Sequence, residues 1–291
     1  MNRRCSIAHI LNALGDKPLR SIRPHEIAAA VREVHVMGKP VMAQHVLIEL
    51  RDMLNEAINY GWIDSNPAIN VKQLRAPVKR QRLPFEQWQR MYDMARTHPV
   101  PWVPHMLKLA LLTGQRRADL CKMRFEDICE MEINGVRGDC LLIEQQKTKA
   151  RIALPLALRL DMLGVTLGQE IDACRSYGKP GPYLLRSRYA AWQRSLNPKC
   201  LSNRFENLRA AAGITVERGT PPSLHECRSL AERLYREQGI DTRTLLGHKR
   251  QAMTDVYNDD RGLNRGQWRV LKLPQSHDLP HLSAQRSTAG Q

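Results

Sequence analysis

One segment departs from the helical pattern that the apolar residues dictate almost everywhere else. From Ile133 to Leu156 the apolar residues alternate or form short runs, CLLIEQQ and ARIALPL, on either side of Lys147-Thr148-Lys149. Gly135 and Gly138 mark a turn before them. Alternation at a period of two, bounded by turn residues, is the signature of strands. A small antiparallel β-hairpin with a basic turn is therefore expected within a chain of helices. The expected class is mainly α with a small antiparallel β-sheet (α+β).

The helices follow from the usual periodicity. Pro24 suits a first helical turn, and Ile27, Ala30, Val31 and Val34 follow it on one face. A second helix starts near Pro40. Its stripe is Val46, Leu47, Leu50, Met53, Leu54, Ala57 and Ile58, and Gly61 stops it. Residues 71–82, VKQLRAPVKRQR, hold Lys72, Arg75, Lys79, Arg80 and Arg82, Pro77 and no acid, and read as a basic connector. Helices are then expected from Phe85 to Ala95, from Val103 to Leu112, from about Arg117, from Pro155 to Cys174 and from Leu201 to Ala212. From Pro274 on the chain is polar and reads as a disordered tail. The expected division is a helical domain over 1–75, a basic linker over 76–83, a larger domain over 84–273 and the tail over 274–291.

Charge narrows the function. The 291 residues carry 45 Lys plus Arg against 29 Asp plus Glu, a net charge of +16. Such an excess points to a polyanion, with nucleic acid the default. A hydrophobic content of 42% excludes wholesale disorder. No apolar run approaches the roughly 18–20 residues of a membrane helix, and MNRRCSIAHILNALGDK does not read as a signal peptide. The 7 cysteines form no CxxC pair and do not cluster with histidines, so reduced thiols are expected rather than disulfides or zinc.

Four segments hold the candidate chemistry. In LTGQRRADL, Gly114 ends one helix and Arg116 stands at the start of the next, beside unpaired backbone N–H groups that suit an anion. Asp119 there complements the helix dipole. In IEQQKTKARIALPL, Lys147 lies at a hairpin tip, where a flexible ammonium can reach into a groove. In SLHECRSLAERLY, Leu224, Cys227, Ala231 and Leu234 face inward, while His225 and Arg228 share a face and can address one anion. In LLGHKRQAMTDVYNDDRG, His248 follows the helix-ending Gly247, and Tyr257 sits on an expected short helix. Each segment taken singly has an ordinary reading: a solvated arginine, a turn lysine, a half-exposed tyrosine.

The ordered set Arg116, Lys147, His225, Arg228, His248 and Tyr257 resembles the catalytic set of the tyrosine site-specific recombinases. TGQRRADL, EQQKTKARIALP, HECRSLAERLY, LLGHK and MTDVYNDDRG resemble the corresponding stretches of the lambda-type phage integrases. The resemblance runs continuously from about residue 83 to 273. Over 16–70 it extends more loosely to that family's helical core-DNA-binding domain. It implies a helical core-binding domain joined to a tyrosine recombinase catalytic domain, acting as a site-specific recombinase (a phage or prophage integrase) without metal, ATP or any other cofactor. Tyr257 would attack the scissile phosphate and form a 3′-phosphotyrosine on the way to a Holliday junction. Arg116 and Arg228 would clamp the non-bridging oxygens. Lys147 would protonate the leaving 5′-oxygen, His225 would take the Tyr257 proton, and His248 would donate to the phosphate. A phenol ordinarily titrates at about pH 10, so it needs such help. Arg116 is preferred to Arg117 because it stands two residues after the glycine, as in the family pattern.

The implied partners are double-stranded DNA at attachment sites, contacted also through Lys72, Arg75, Lys79, Arg80 and Arg82, and three further copies in a homotetramer. Integration host factor and excisionase are further candidates, and the implied location is the bacterial cytoplasm. The N-terminus departs from the family pattern: residues 1–15 match only part of an early core-binding helix, and no arm-site-binding domain precedes it. A trimmed chain, a misplaced start codon and a decayed prophage gene each account for that, and poor site affinity is expected. GQWRVLKLP, with Trp268, Val270 and Leu273, reads as a terminal strand that packs either on a neighbouring subunit or on the chain's own sheet. Competing readings are a type IB topoisomerase, a catalytically inactive DNA-binding remnant and, last, an RNA-binding protein. The last finds little support in 5% aromatics without a repeated pattern.

Overall fold

The structure, a computed structural model, describes residues 3–76, 80–133, 136–187, 194–217 and 219–258. The expected strand around Trp268, Val270 and Leu273, the tail over 274–291, Gly135 and Lys79 lie outside these residues. The chain divides into two compact units, Met1–Lys79 and Arg80–Gln291.

The first unit is helical: α1 (Arg3–Leu14), α2 (Pro24–Val36) and α3 (Pro40–Asn59). Proline opens both α2 and α3, where its missing N–H costs nothing. Glu26 closes the first turn of α2 by accepting from the Arg23 N–H at 2.8 Å. Ile27, Val31 and Val34 of α2 meet Val46, Leu47, Leu50 and Leu54 of α3 and Ile10 and Leu14 of α1 in one core. Met53 and Ile58 of the expected stripe fall at its edge; Met53 is 39% exposed. The end of the unit is strapped to α3. Arg51 donates to the carbonyls of Ala68 (3.1 Å) and Val71 (2.7 Å), and Gln44 to that of Leu74 (2.9 Å). Residues 71–74, the start of the basic stretch, are thus held against the helices of the first unit by side chains that satisfy their backbone.

The second unit runs α4 (Phe85–Arg96), α5 (Trp102–Thr113), the single turn α6 (Arg117–Leu120), then strands β1 (Ile128–Ile133), β2 (Val136–Glu144) and β3 (Arg151–Pro155). It continues with the short pair β4 (Arg159–Leu160) and β5 (Val165–Thr166), α7 (Leu167–Ser176), α8 (Pro198–Ala211), α9 (Glu226–Glu237), α10 (Thr242–Leu246) and α11 (Gln251–Asp255). The sheet is antiparallel in the order β1-β2-β3, with Ile143 opposite Ile152. It therefore has one strand more than the expected hairpin. The added strand β1, ICEMEI, alternates Cys129, Met131 and Ile133 with Glu130 and Glu132, a period of two that continues the strand pattern N-terminal to the expected hairpin.

The helix expected over Pro155–Cys174 is also corrected. Residues 159–166 form a β-ribbon closed by Gly164 at φ +67°, and the helix starts only where Thr166 caps it by accepting from the Gln169 N–H at 3.2 Å. Helix α9 is the axis of the unit. Every residue from Glu226 to Tyr235 is buried, polar ones included, so its inward stripe of Leu224, Cys227, Ala231 and Leu234 is only part of what it packs.

Gly247 ends α10 in the left-handed region, at φ +63°. A Cβ there would lie 2.8 Å from Ile152 Cδ1 and 3.2 Å from Ala150 Cβ, so β3 packs directly against this backbone. Gly247→Ala is expected to destabilise the unit by at least about 1–2 kcal/mol, the cost of a left-handed non-glycine residue before any overlap. Urea unfolding checks this; an unchanged midpoint would contradict it.

Candidate active site

Four side chains, His225, Arg228, His248 and Tyr257, meet where the ends of α5, α9 and α10 converge beside the β2–β3 turn, and Arg116 and Lys147 act on them by charge. The loop after α5 makes the first corner: Gly114 adopts φ +62°, and a Cβ there would lie 3.0 Å from Leu246 Cδ2. Arg228, in the first turn of α9, is 1% exposed. Its Nη1 donates to the Gly114 carbonyl at 2.7 Å and its Nη2 to the Leu246 carbonyl at 2.5 Å. Two helix-terminal carbonyls thus orient a buried guanidinium, as such a charge requires. Nη2 also lies 3.1 Å from His248 Nε2. Arginine has no acceptor, so Nε2 accepts and the imidazole proton is on Nδ1, which donates to Thr254 Oγ1 at 3.0 Å.

Tyr257 follows α11 in a single 3-10 turn, Val256–Asn258. Its hydroxyl lies 3.4 Å from His225 Nε2, its ring stacks on His248 at 5.5 Å, and the Arg228 guanidinium sits 5.9 Å from its centroid. Its backbone is pinned as well. Ser229 Oγ donates to the Tyr257 carbonyl at 3.3 Å, and Arg82 Nη2 to the Val256 carbonyl at 2.6 Å.

Arg116 enters from the other side. Its Nη1 donates to Gln145 Oε1 at 3.0 Å, and its charge acts on Arg228, His225 and His248. Arg117, its neighbour, turns away and donates to Ser202 on α8 at 2.5 Å. The structure thus brings Arg116, not Arg117, to the group. Lys147 sits in the β2–β3 turn, close enough for its charge to act on His225. Asp119 does more than face a helix dipole: its buried Oδ1 accepts from the Gln146 N–H at 2.8 Å and holds that turn to α6.

Positive charge dominates the site. His225 keeps an exposed face; desolvation of the rest of its ring, then Arg228, Arg116, Arg80 and Lys147, push its imidazole down to about 4. Burial, then Arg228 and Arg116, push His248 down to about 4. Burial and Arg116 lower Arg228 to about 10. Both imidazoles are therefore neutral at pH 7, and clustered cations of this kind are relieved by a bound anion.

Of the connector cations, Lys72, Arg75 and Arg80 are exposed. Arg80 forms a backbone bridge to Thr220, which places it near His225. Arg82, expected to face phosphates, is corrected: it is buried, pairs with Glu226 at 3.2 Å and grips the Val256 carbonyl. Gln115 and Gln145 were missed. Gln145 continues the inward phase of Leu141 and Ile143 on β2, and a glutamine in a core-facing register is the signal that could have found it. Among the described residues, ligand atoms of His105, Glu170 and Cys174 lie within 4.8 Å of one another. Glu170 there is already paired with His105 (2.7 Å) and Lys108 (3.0 Å), and that ammonium opposes a metal.

The sequence matches the phage integrase family over residues 81–262 and the phage integrase central domain over residues 2–74. The chain belongs to the phage integrase family. It is 39% identical over 254 residues to the integrase of Enterobacteria phage P21, covering 85% of this chain and 64% of that protein. To the prophage integrase IntE of Escherichia coli (strain K12) it is 39% identical over 255 residues, covering 85% and 65%. It thus spans less than two thirds of the length of these two relatives. The integrase of Escherichia phage lambda is 34% identical over 264 residues, 90% of this chain and 70% of that one. Among solved structures, a lambda integrase(75-356) dimer bound to a COC′ core site matches with a TM-score of 0.79 at 33% identity, over 94% of this chain and 91% of that chain. A lambda integrase tetramer bound to a Holliday junction matches with a TM-score of 0.78 at 33% identity, over 92% and 73%. The mainly helical fold with its small antiparallel sheet is that of the integrase family.

Two predictions follow for this family member. Folded His225 and His248 titrate below the ordinary histidine value of 6.5, so between about pH 6.5 and 4 the unfolded chain binds more protons. Stability should fall as pH drops through that window, and His248→Asn should flatten the fall in a melting-temperature series. Separately, Arg82→Met strands the buried Glu226 carboxylate. Loss of one partner of a buried pair costs about 3–5 kcal/mol, readable by urea unfolding; Arg82→Met with Glu226→Met should recover part of it.

Proposed function

We propose that the chain is a site-specific DNA recombinase, a phage or prophage integrase, that cuts and rejoins strands through a 3′-phosphotyrosine. The observation that carries this reading is the Tyr257 hydroxyl lying 3.4 Å from His225 Nε2, with the buried guanidinium of Arg228 5.9 Å from its ring centroid.

In the reaction, Tyr257 Oη attacks the scissile phosphorus and the bond from phosphorus to the 5′-oxygen breaks. The phenol proton passes to His225, and Lys147 gives a proton to the departing 5′-oxygen. Arg116 and Arg228 hold the two non-bridging oxygens, where charge grows in the transition state. A bound phosphodiester offsets the cations around His225 and raises its basicity toward neutral pH, so the base strengthens when substrate arrives. His248 accepts from Arg228 in the free site. With phosphate bound the imidazole takes the other tautomer, losing the Nδ1 proton to solvent and gaining one at Nε2, so that Nε2 donates to the phosphate while the Thr254 hydroxyl turns to donate to Nδ1. A 5′-hydroxyl from a partner strand reverses the sequence, since the ester keeps the bond energy. None of these steps needs a metal or a nucleotide.

The first unit acts as the core-DNA-binding domain, and the cations of the connector, Lys72, Arg75, Lys79 and Arg80, contact phosphates. Arg82 is left out because its charge is used internally. Four copies assemble on paired attachment sites, in the manner of the lambda integrase tetramer on its Holliday junction. Integration host factor and excisionase are the accessory proteins to test, and the bacterial cytoplasm is the place of action.

The test is capture of the covalent intermediate. The chain is mixed with a pool of nicked duplexes carrying a randomised core, so that the cleaved fragment diffuses away. Slow bands are cut from a denaturing gel and sequenced. A band in the wild type that Tyr257→Phe abolishes supports the reading and reports the site. DNA binding without a band would indicate an inactive remnant. Relaxation of supercoiled DNA lacking the recovered site would indicate a topoisomerase.

A further inference from the structure

The side-chain amide of Gln145 is fully buried and uses both of its ends. Oε1 accepts from Arg116 Nη1 at 3.0 Å and from Thr148 Oγ1 at 2.5 Å. Nε2 donates to Gln115 Oε1 at 2.7 Å and to the Leu246 carbonyl at 3.0 Å. These four bonds fill the amide's capacity, and they fix its orientation: exchanging O and N would set two donors against each other at Arg116 and two acceptors at Leu246.

The partners matter more than their number. Arg116 is one of the site cations, and among the described residues its hydrogen bond goes to Gln145. Leu246 supplies the carbonyl that also receives Arg228 Nη2. Thr148 is the residue after Lys147. The backbone of Gln145 closes the same turn, its N–H donating to the Ala150 carbonyl and its carbonyl accepting from the Lys149 N–H, both at 2.9 Å. Lys149 takes φ +56° to let the turn close. Gln145 therefore joins the loop bearing Lys147 to both site arginines. An apolar residue in this inward register would leave Gln115 Oε1 without its donor and Arg116 without its acceptor, so the amide answers to its polar neighbours and not to the apolar phase of β2.

We propose that Gln145 is a positioning residue that sets the Lys147 turn in register with Arg116, so that the ammonium meets the leaving 5′-oxygen while the guanidinium holds the same phosphate. This rests on the recombinase reading above. The amide does not touch substrate; it acts through Lys147, with Arg116 as the fixed point against which the turn is set. Its loss is felt at the step that needs a proton on the leaving group.

The test compares two versions of the duplex recovered from the randomised pool, one with the ordinary oxygen bridge at the scissile position and one with sulfur at the 5′-bridging atom. A thiolate leaves without being protonated, so the sulfur bridge removes the need for an acid. Single-turnover cleavage is measured for the wild type, Gln145→Met, Thr148→Val and Lys147→Ala, each checked for DNA affinity and melting temperature. Gln145→Met should cleave the oxygen-bridged duplex at least about tenfold more slowly, since a small misplacement of a catalytic group has that order of effect. It should regain most of the loss on the sulfur-bridged duplex, as Lys147→Ala does. Thr148→Val, which keeps the buried amide, should show a smaller loss with the same recovery, and it decides the matter if Gln145→Met does not fold. Equal deficits on both duplexes, or wild-type rates on both, would overturn the proposal. If the wild type itself forms no adduct, the recombinase reading falls and this inference falls with it.

Discussion

The buried Arg228 guanidinium is the interaction on which the second unit is arranged. A charge at this depth is tolerated only where fixed dipoles replace water. Here the replacements are the Gly114 and Leu246 carbonyls. Both belong to helix ends, where carbonyls lack intrahelical partners. The ends of α5 and α10 are each turned by a left-handed glycine, Gly114 and Gly247, because no side chain fits at either place. The charge requirement of one arginine thus accounts for how three helix termini meet.

The same crowding of cations sets the protonation states. His225 and His248 are held neutral by their surroundings, so the free site offers proton acceptors and hydrogen-bond partners rather than more positive charge. Asp119 is buried nearby: its charge acts on Arg228 while its Oδ1 holds the Gln146 backbone. A second buried arginine, Arg82, is compensated by Glu226 and turned inward to the chain carrying Tyr257. Buried charge here orders backbone at the positions where the tyrosine and the lysine must be placed.

Much of the site was legible in the residues because its members lie in short segments with distinctive order, and the helical periods of α2, α3 and α9 are strong. Three features differ from the sequence expectation. Strand β1 was legible, since Cys129, Met131 and Ile133 alternate with Glu130 and Glu132, although the expected hairpin does not include it. The ribbon from Arg159 to Thr166 was read as helix because its apolar spacing fits both periods, and only Gly164 and the Thr166 cap separate them. Arg82 was read as a phosphate contact because it lies among exposed cations; sequence proximity says nothing about which of several neighbouring arginines finds a buried partner far along the chain.

Local chemistry therefore determined the class and the helical framework, because periodicity and capping act over a few residues, while the six candidate residues came from the resemblance of their ordered segments to a known family. Tertiary structure alone decided that Arg117 turns to Ser202, that Arg82 turns inward, and that Gln145 ties the lysine turn to the arginines. Those outcomes depend on hydrogen bonds between residues distant in sequence, such as Arg82 with Val256 and Gln145 with Leu246. A buried polar group must find its partner wherever the packed chain presents one.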